Sequence, residues 1–525
     1  METKAASINT NHPNPRISTE WMATVNRILP TLIFTFMCAG SLFLTTSFFV
    51  NEQVTPKWYW TFFCSAALLL VYIVFSFFTG KGEVTGRNSM PAACLIIVTL
   101  CLLQAVYGIL QYVNMFPAVN GFRVTGSFDN PAGFAASLCA GFPFLLYFVF
   151  SEKLWKRYTA ITTVIVIVAA IVLSASRAGV ISLIAVGLAA FFYKIKIVAK
   201  WKWTIITVLL SVSLSGLYFL KKDSADGRLL IWRCSLEMVK DKPLFGHGYG
   251  GFKAGYMNYQ AEYFEHHPDS KYTILADNVN RPFNEYLLLL VNSGLFGLMV
   301  LILVFYRLWQ IFKYNRSKTL FDYISYLCLL SIAVFALFSY PLTYPFVWVV
   351  GLSSIANLFY PLWRTQKRFL FDLRLIIILA VPVAGYLTYD RMRAEMKWCD
   401  IAHKSLRGRT EQMLPEYKLL YDKLKCNELF LYNYAAELNV VGQYEKSLTI
   451  AQECERLWAD YDLQMLMADN YRQMQRYKDA EQHYKKASLM CPVKFMPLYE
   501  LAKLYVEEWR DNEALSLANT ILAKK

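Results

Sequence analysis

Five arginines stand just outside the apolar runs of this chain: Arg123, Arg177, Arg228, Arg233 and Arg281. Arg177 sits in the very short connection "SASRAG" between two such runs. A guanidinium held at a membrane boundary costs free energy unless it has a partner. Its planar fork matches phosphate oxygens two at a time. Several such groups at one surface suit a lipid-linked phosphate or pyrophosphate. Pairing with carboxylates or lipid headgroups is the alternative that spacing alone leaves open. Arg228 and Arg233 belong to "RLLIWRCSLEMVKDKPLFGHGYGGF", Arg228 to Phe252. There Leu229, Trp232, Leu236 and Val239 recur at helical spacing, which predicts a helix on the membrane surface with Trp232 at the interface and Pro243 at its end. "GHGYGG", which contains His247, follows as a turn whose glycines let backbone approach a ligand closely. It lacks the lysine and the serine or threonine of a nucleotide phosphate loop, which excludes that chemistry.

The elements that must hold these residues are membrane helices. Of 525 residues, 56% are hydrophobic and 17% charged, and the apolar ones gather into runs of roughly 20, the length that crosses a bilayer core. We read eleven spans, at 28–50, 58–79, 90–112, 131–150, 158–174, 178–193, 203–220, 283–306, 322–340, 345–362 and 370–389. With the N-terminal tail 1–27 in the cytoplasm, the cytoplasmic segments hold nineteen lysines and arginines. The opposite short loops hold three, Lys57, Arg123 and Arg177. That bias sets an orientation in which the large loop 221–282 and the C-terminus face outward, to the periplasm in a Gram-negative cell. The net charge of +15 is therefore topological and does not call for nucleic acid. Six of the eleven cysteines (Cys38, Cys64, Cys94, Cys101, Cys139 and Cys328) lie in apolar runs and read as packing residues; no zinc-type spacing or disulfide framework is visible.

From about residue 390 the composition becomes that of a soluble helical domain. Ala402, Ala435, Ala468 and Ala502 are spaced 33, 33 and 34, and Tyr444 and Tyr477 repeat at 33. This period resembles tetratricopeptide repeats, three of them from about 429 to 525, whose stacks make concave surfaces for a protein partner or acceptor. The expected fold is all-α: a membrane domain at 28–389 and an outward repeat domain at 390–525, the former folding without the latter.

Four stretches, in order, resemble the O-antigen ligase and polymerase superfamily of membrane glycosyltransferases, which includes protein O-oligosaccharyltransferases. "TGSFDNPAGFAA" (125–136) is similar to its Gly-Thr/Ser-Phe-x-Asn-Pro segment, and "SASRAG" (174–179) to its Ser-Arg-Gly turn. Arg228 to Phe252 is similar to its Arg…Trp…Pro-Leu-x-Gly-x-Gly block. "FNEYLLLLVNSGLFG" (283–297) is similar to its His-Asn/Ser, nine residues, Gly-x-x-Gly motif, with Asn284, Gly294 and Gly297 in register. The resemblance implies an enzyme of the bacterial inner membrane that moves a glycan from undecaprenyl pyrophosphate to a hydroxyl on lipid A core, on a protein Ser/Thr, or, as a polymerase, on another lipid-linked chain. It implies no nucleotide, metal or other cofactor. It also implies that Arg177 and Arg228, with Arg233 second, hold the pyrophosphate.

One residue departs from the pattern. Phe283 stands where the family has the histidine proposed as general base, and phenylalanine takes no proton. Glu285 is two residues on, about 200° around a helix. With His247, His266, His267 and Asp277 it is a candidate base, unless leaving-group stabilisation suffices. A transporter of polyprenyl-linked glycan is the rival from another class; it would show mid-span charges and internal repeats, and neither is evident. A repeat scaffold with a membrane anchor would not need eleven spans.

Overall fold

The computed structural model describes residues 15–78, 90–119, 121–194, 222–314, 319–363 and 367–523, with Thr204, Val208 and Tyr218 between them. All regular elements among the described residues are helical. Helices α1 (Pro15–Phe43), α2 (Thr55–Phe78), α3 (Met90–Tyr112), α4 (Pro131–Val149, with a 3-10 turn at Phe142–Leu145), α5 (Leu154–Leu173) and α6 (Arg177–Lys194) open the chain. Two helices, α7 (Lys222–Asp241) and α8 (Gly251–His266), form the large loop. Helices α9 (Glu285–Tyr314), α10 (Leu320–Ala336), α11 (Pro345–Trp363) and α12 (Lys367–Lys404) complete the membrane part. Five helices are long and apolar enough to cross a membrane, and 28–43, 177–192, 320–336 and 345–359 are shorter apolar helices. The expected span 203–220 lies outside the described residues apart from three helical positions. The expected span 370–389 is part of α12, which runs on without a break into the C-terminal domain.

Packed apolar faces of α1, α3, α4, α5, α10 and α11 make the core of the bundle, with Cys94, Cys101, Cys139 and Cys328 buried in it as free thiols. Buried polar side chains fix the loop between α3 and α4, because a buried polar group needs partners. The Gln111 amide, 2% exposed, accepts from the Thr125 and Gly126 N–H groups and donates to the Pro117 and Gly126 carbonyls. Lys57, fully buried, donates to the Ser127 carbonyl at 2.7 Å. Asn130 then caps α4, accepting from the Ala132 and Gly133 N–H groups, with Pro131 at the first helical position.

The glycine turn of the large loop is joined to the bundle by backbone hydrogen bonds. Helix α9 breaks at Gly294 (φ 61°, ψ −158°), and the glycine turn after α7 fills the break. His247 N–H donates to the Val291 carbonyl at 2.8 Å and Gly248 N–H to Asn292 at 2.9 Å. Leu295 and Phe296 N–H donate back to Pro243 and Leu244 at 2.8 and 3.1 Å. A Cβ on Gly246 would stand 2.5 Å from the Asn292 carbonyl carbon, and one on Gly294 2.4 Å from the Leu244 oxygen. Both glycines also have positive φ, so no other residue fits either place without strain.

The C-terminal domain begins with α13 (Thr410–Leu424) and continues as antiparallel pairs: α14 (Glu428–Val440) with α15 (Tyr444–Glu455), α16 (Tyr461–Gln473) with α17 (Tyr477–Met490), and α18 (Met496–Glu507) with α19 (Asp511–Ala523). The small residues that repeat in sequence lie where helices touch: Ala435, Ala468, Ala480 and Ser447 are fully buried, and Ser447 Oγ donates to the Ala435 carbonyl at 2.7 Å.

This domain is not a separate unit, contrary to the expectation that the membrane domain is complete without it. Leu230, Ile231, Cys234, Met238, Phe252, Tyr256 and Met257 of α7 and α8 share one hydrophobic core with Ala459, Tyr461, Ala487, Met490 and Cys491. Gln260, fully buried, donates to the Met490 carbonyl at 2.6 Å. Helix α7 has a second apolar face besides the stripe read from sequence. Leu229 and Leu236 are 44% and 49% exposed, while Leu230, Ile231, Cys234 and Met238 are buried. The buried face packs on α8 and the C-terminal domain, and Leu229 and Leu236 of the stripe stay exposed.

Two outcomes follow from these contacts. A chain ending at Lys404 should be cut by protease within 222–282 roughly tenfold faster or more than the full chain, the effect of about 1.4 kcal/mol of lost local stability; equal resistance would argue that the loop folds alone. Gly294→Ala and Gly246→Ala should each lower stability by about 1–3 kcal/mol, the scale of an enforced strained backbone. Gly187→Ala, whose Cβ meets nothing within 4 Å, should be neutral or slightly stabilising in the same detergent melting assay.

Candidate functional site

A cavity of about 1360 Å³ opens where the loops meet. Asn51 and Val54 line it from the α1–α2 connection, Asp129 and Asn130 from the turn before α4, and Tyr340 and Thr343 from the α10–α11 connection. Gly227, Arg228 and Ile231 of α7 and Gly250 to Ala254 at the start of α8 form another wall. Arg281 and Phe283 come from the irregular segment ahead of α9, and Cys426, Glu428, Arg456 and Leu457 from the C-terminal domain. Segments that the charge count assigns to one membrane side thus converge on one space.

Arg228 is the centre of this arrangement. Its Nη1 donates to the Phe338 carbonyl at 2.7 Å, and its guanidinium stacks 5.1 Å from the centroid of the Phe283 ring. No carboxylate pairs with it among the described residues. Burial, and secondarily the like charge of Arg177, pull its pKa down to about 10, against an opposing effect of Tyr340. A buried guanidinium whose charge a second guanidinium opposes, beside a cavity, makes a place where an anion is stabilised. Arg177 opens α6 and donates to Ser224 Oγ at 2.7 Å, so it faces the first turn of α7. Arg281 donates to Thr343 Oγ1 and lies 5.5 Å from the Tyr340 ring. The first turn of α8 stands at the cavity wall and adds the positive end of a helix dipole, with its Gly251 and Phe252 N–H groups already donated to the Gly248 carbonyl and to Asn292 Oδ1.

The aromatic residue in place of the family histidine therefore has a definite position. Phe283 has φ 54°, an unusual value for a non-glycine residue, and its ring packs between Arg228 and Tyr340, 5.4 Å from the latter. It holds Arg228 from one face by cation–π attraction.

Other residues singled out from sequence are held elsewhere. Glu285 does not line the cavity; its carboxylate accepts from the Leu342 N–H at 3.1 Å and so fixes the α10–α11 connection. Asn284 caps α9, its side chain accepting from Tyr286 and Leu287 N–H, both at 3.0 Å. Trp232 donates to the Pro282 carbonyl at 2.9 Å and ties α7 to the segment that carries Arg281 and Phe283. Arg233 is exposed and stacks 5.0 Å from Tyr263, and Arg123 is exposed outside the cavity. His266 and His267 are exposed at the far end of α8. His247 does line the cavity. Its Nε2 lies 2.8 Å from the Met238 carbonyl; a carbonyl only accepts, so the proton sits on Nε2 and Nδ1 keeps a lone pair.

Sequence reasoning passed over Lys57, Asp129, Tyr340, Lys253 and Arg456. Lys57 carried a signal: with Arg123 and Arg177 it is one of the three cations on the sparse side of the charge count. Its ammonium stacks on Phe128, 4.9 Å from the centroid, and fixes the turn that bears Asp129. Asp129 Oδ1 accepts from the Tyr344 hydroxyl at 3.2 Å, and Asn130 Nδ2 donates to the same hydroxyl at 2.8 Å.

Residues 162–302 match the family model for O-antigen ligase. No curated protein matches the chain. The matched segment runs from α5 through the Gly294 break and contains Arg228, the glycine turn and Arg281, which line the cavity, and Arg177, which bonds Ser224 on its wall. Over this segment, about a quarter of the chain, the protein is similar to the O-antigen ligase family.

Proposed function

We propose that the protein transfers a glycan from undecaprenyl pyrophosphate to an acceptor hydroxyl at the outer face of a bacterial inner membrane. One observation carries this reading: Arg228, a part-buried cation whose partners among the described residues are a carbonyl and a ring, faces the cavity beside the like charge of Arg177. A pyrophosphate at the membrane boundary neutralises both. The acceptor oxygen attacks the anomeric carbon of the donor sugar, the bond from that carbon to the pyrophosphate oxygen breaks, and the electron pair leaves with the pyrophosphate. Arg228 and Arg177 stabilise the charge that grows on the leaving oxygen, with Arg281 and the start of α8 adding positive potential. The acceptor proton goes to a base on the cavity wall. His247 is the imidazole placed there with a free Nδ1, whereas Phe283 cannot serve and Glu285 is turned to Leu342.

A tetratricopeptide-like C-terminal domain that walls the cavity suits a bulky acceptor, either a sugar of lipid A core or a protein Ser/Thr. Deleting the gene and comparing lipopolysaccharide ladders with glycoprotein staining separates the two. Loss of long-chain lipopolysaccharide alone marks a ligase, loss of protein glycosylation alone an O-oligosaccharyltransferase, and loss of neither rules out both.

Lysine keeps the charge of arginine but loses the planar fork. Arg177→Lys and Arg228→Lys should therefore cut transfer per unit of inserted protein, and the alanine variants should cost about 2–4 kcal/mol of transition-state stabilisation, roughly a hundredfold or more. His247→Gln should lower transfer at unchanged donor binding, while Glu285→Gln should act on stability before transfer. Near-wild-type transfer in both arginine-to-alanine variants would eliminate the pyrophosphate clamp.

A further inference from the structure

The C-terminal wall of the cavity has chemistry of its own. Arg456 lies in the turn between α15 and α16 and lines the cavity with Cys426, Glu428, Leu457 and Lys253. That turn is anchored on both sides. Ala459 N–H donates to the Lys253 carbonyl at 3.0 Å, and Trp458 Nε1 to Asn280 Oδ1 at 2.9 Å. Asn278 Nδ2 donates to Asp460, and Cys454 Sγ lies 3.2 Å from the Glu428 carbonyl. The backbone of Arg456 is thus fixed against the large loop, while its side chain is exposed to the cavity.

Its pairing is the exception in the repeat stack. Arg472 binds Glu500 and Glu507, Arg476 binds Asp479, and Arg510 binds Glu481, Glu508 and Glu513. The guanidinium of Arg456 makes no hydrogen bond or ion pair among the described residues, although the adjacent Glu455 pairs with Lys486 at 3.0 Å. The neighbouring Lys253 is already matched by Glu428. One uncompensated guanidinium therefore faces the cavity from this wall, contributed by a different part of the chain from Arg177, Arg228 and Arg281. A fork of this kind selects phosphate or carboxylate oxygens.

We propose that the C-terminal domain supplies a second, anion-reading subsite in this cavity, in which Arg456, beside the Lys253–Glu428 pair, holds an acidic group on the saccharide being joined. The subsite rests on the transfer reading for its purpose, but its binding chemistry stands by itself. Arg456 is then a specificity-determining residue: it selects what is joined and leaves the leaving group to Arg177 and Arg228.

Cys426 gives the test a local reporter, since it is the one exposed cysteine of the eleven and lines the same wall. The full chain in detergent is alkylated with N-ethylmaleimide and the rate at Cys426 is followed by mass spectrometry, with glucose 6-phosphate, glucuronate or glucose present. Glucose 6-phosphate should slow the reaction and glucose should not; glucuronate distinguishes a phosphate-only site from one that takes any acid. In Arg456→Ala the same protection should need about tenfold more ligand, the loss expected of one charge-assisted contact, and Arg456→Lys should recover part of it. Because Arg456 is exposed, the melting temperature of both variants should equal that of the wild type. Equal protection of wild type and Arg456→Ala, or protection by neither acid, overturns the subsite. Inorganic pyrophosphate is the parallel probe for the arginine side: it should raise the melting temperature of the wild type and of Arg456→Ala but not of Arg228→Ala. Absence of that response in the wild type would count against the transfer reading and leave the Cys426 result to be judged separately.

Discussion

The contact between the glycine turn at 246–248 and the broken helix at Gly294 decides where everything else in the site can be. It consists of backbone against backbone, with four N–H to carbonyl bonds across the join. A side chain at Gly246 or Gly294 would occupy the space of the opposing peptide. Such a joint has almost no tolerance in register, since shifting either strand by one residue would bring a Cβ into it. Downstream of it the N-terminus of α8 is directed at the cavity, and Asn292 Oδ1 accepts from the Phe252 N–H at 3.0 Å to hold it there. Upstream, α7 is fixed in rotation, which sets the direction of Arg228. The break in α9 is thus a structural device: the helix gives up its own continuity so that the loop can use its exposed peptide groups.

With that joint in place, the electrostatics of the cavity follow from what is near Arg228 and what is not. A guanidinium close to a second guanidinium, with a ring on one face and a carbonyl at one nitrogen, is unstable relative to the same group in water unless an anion completes it. The Phe283 ring contributes attraction without accepting a hydrogen bond, so the remaining N–H groups of Arg228 stay available to a ligand. A histidine at that position would compete with the arginine for protons and, when charged, would repel it. On the proposed transfer reading, phenylalanine at 283 would favour an anion clamp at the expense of a base at that point, and the proton acceptor would come from another wall.

Much of the membrane part is legible from apolar run length alone, because a bilayer imposes one length on every crossing. The helix after Arg228 is also legible, as is Pro243 near its end. The role of Gly294 as a helix break and the buried face of α7 are not. Both Leu229/Leu236 and Leu230/Met238 recur at helical spacing, and only the partner decides between them. That partner includes Tyr461 and Met490, more than two hundred residues later in the chain; local periodicity carries no information about it. Glu285 and Asn284 were read as site residues from their place in a motif, but both serve the backbone, one by accepting from Leu342 and the other as the cap of α9. An Asn one residue before a helix is a capping signal in its own right, and that physical reading carries more information here than the motif. Arg456 had no local signal at all, being one arginine among the repeats until the fold turns it toward Arg228's cavity.

The C-terminal domain changes what kind of enzyme the architecture can be. A repeat stack joined by a flexible tether raises the local concentration of a partner and leaves the chemistry to the membrane domain. Here the tether is absent: α12 is one helix from the last apolar segment into the domain, and Trp398 and Cys399 on it pack near Asn433 and Ser47, elements of the two parts. The domain shares a hydrophobic core with α7 and α8 and supplies residues to the cavity wall. A substrate entering that cavity meets both parts together. Loss of the domain would therefore open one wall of the cavity and release the loop that carries Arg228, so on the proposed transfer reading the two walls would act on a substrate together rather than as two modules.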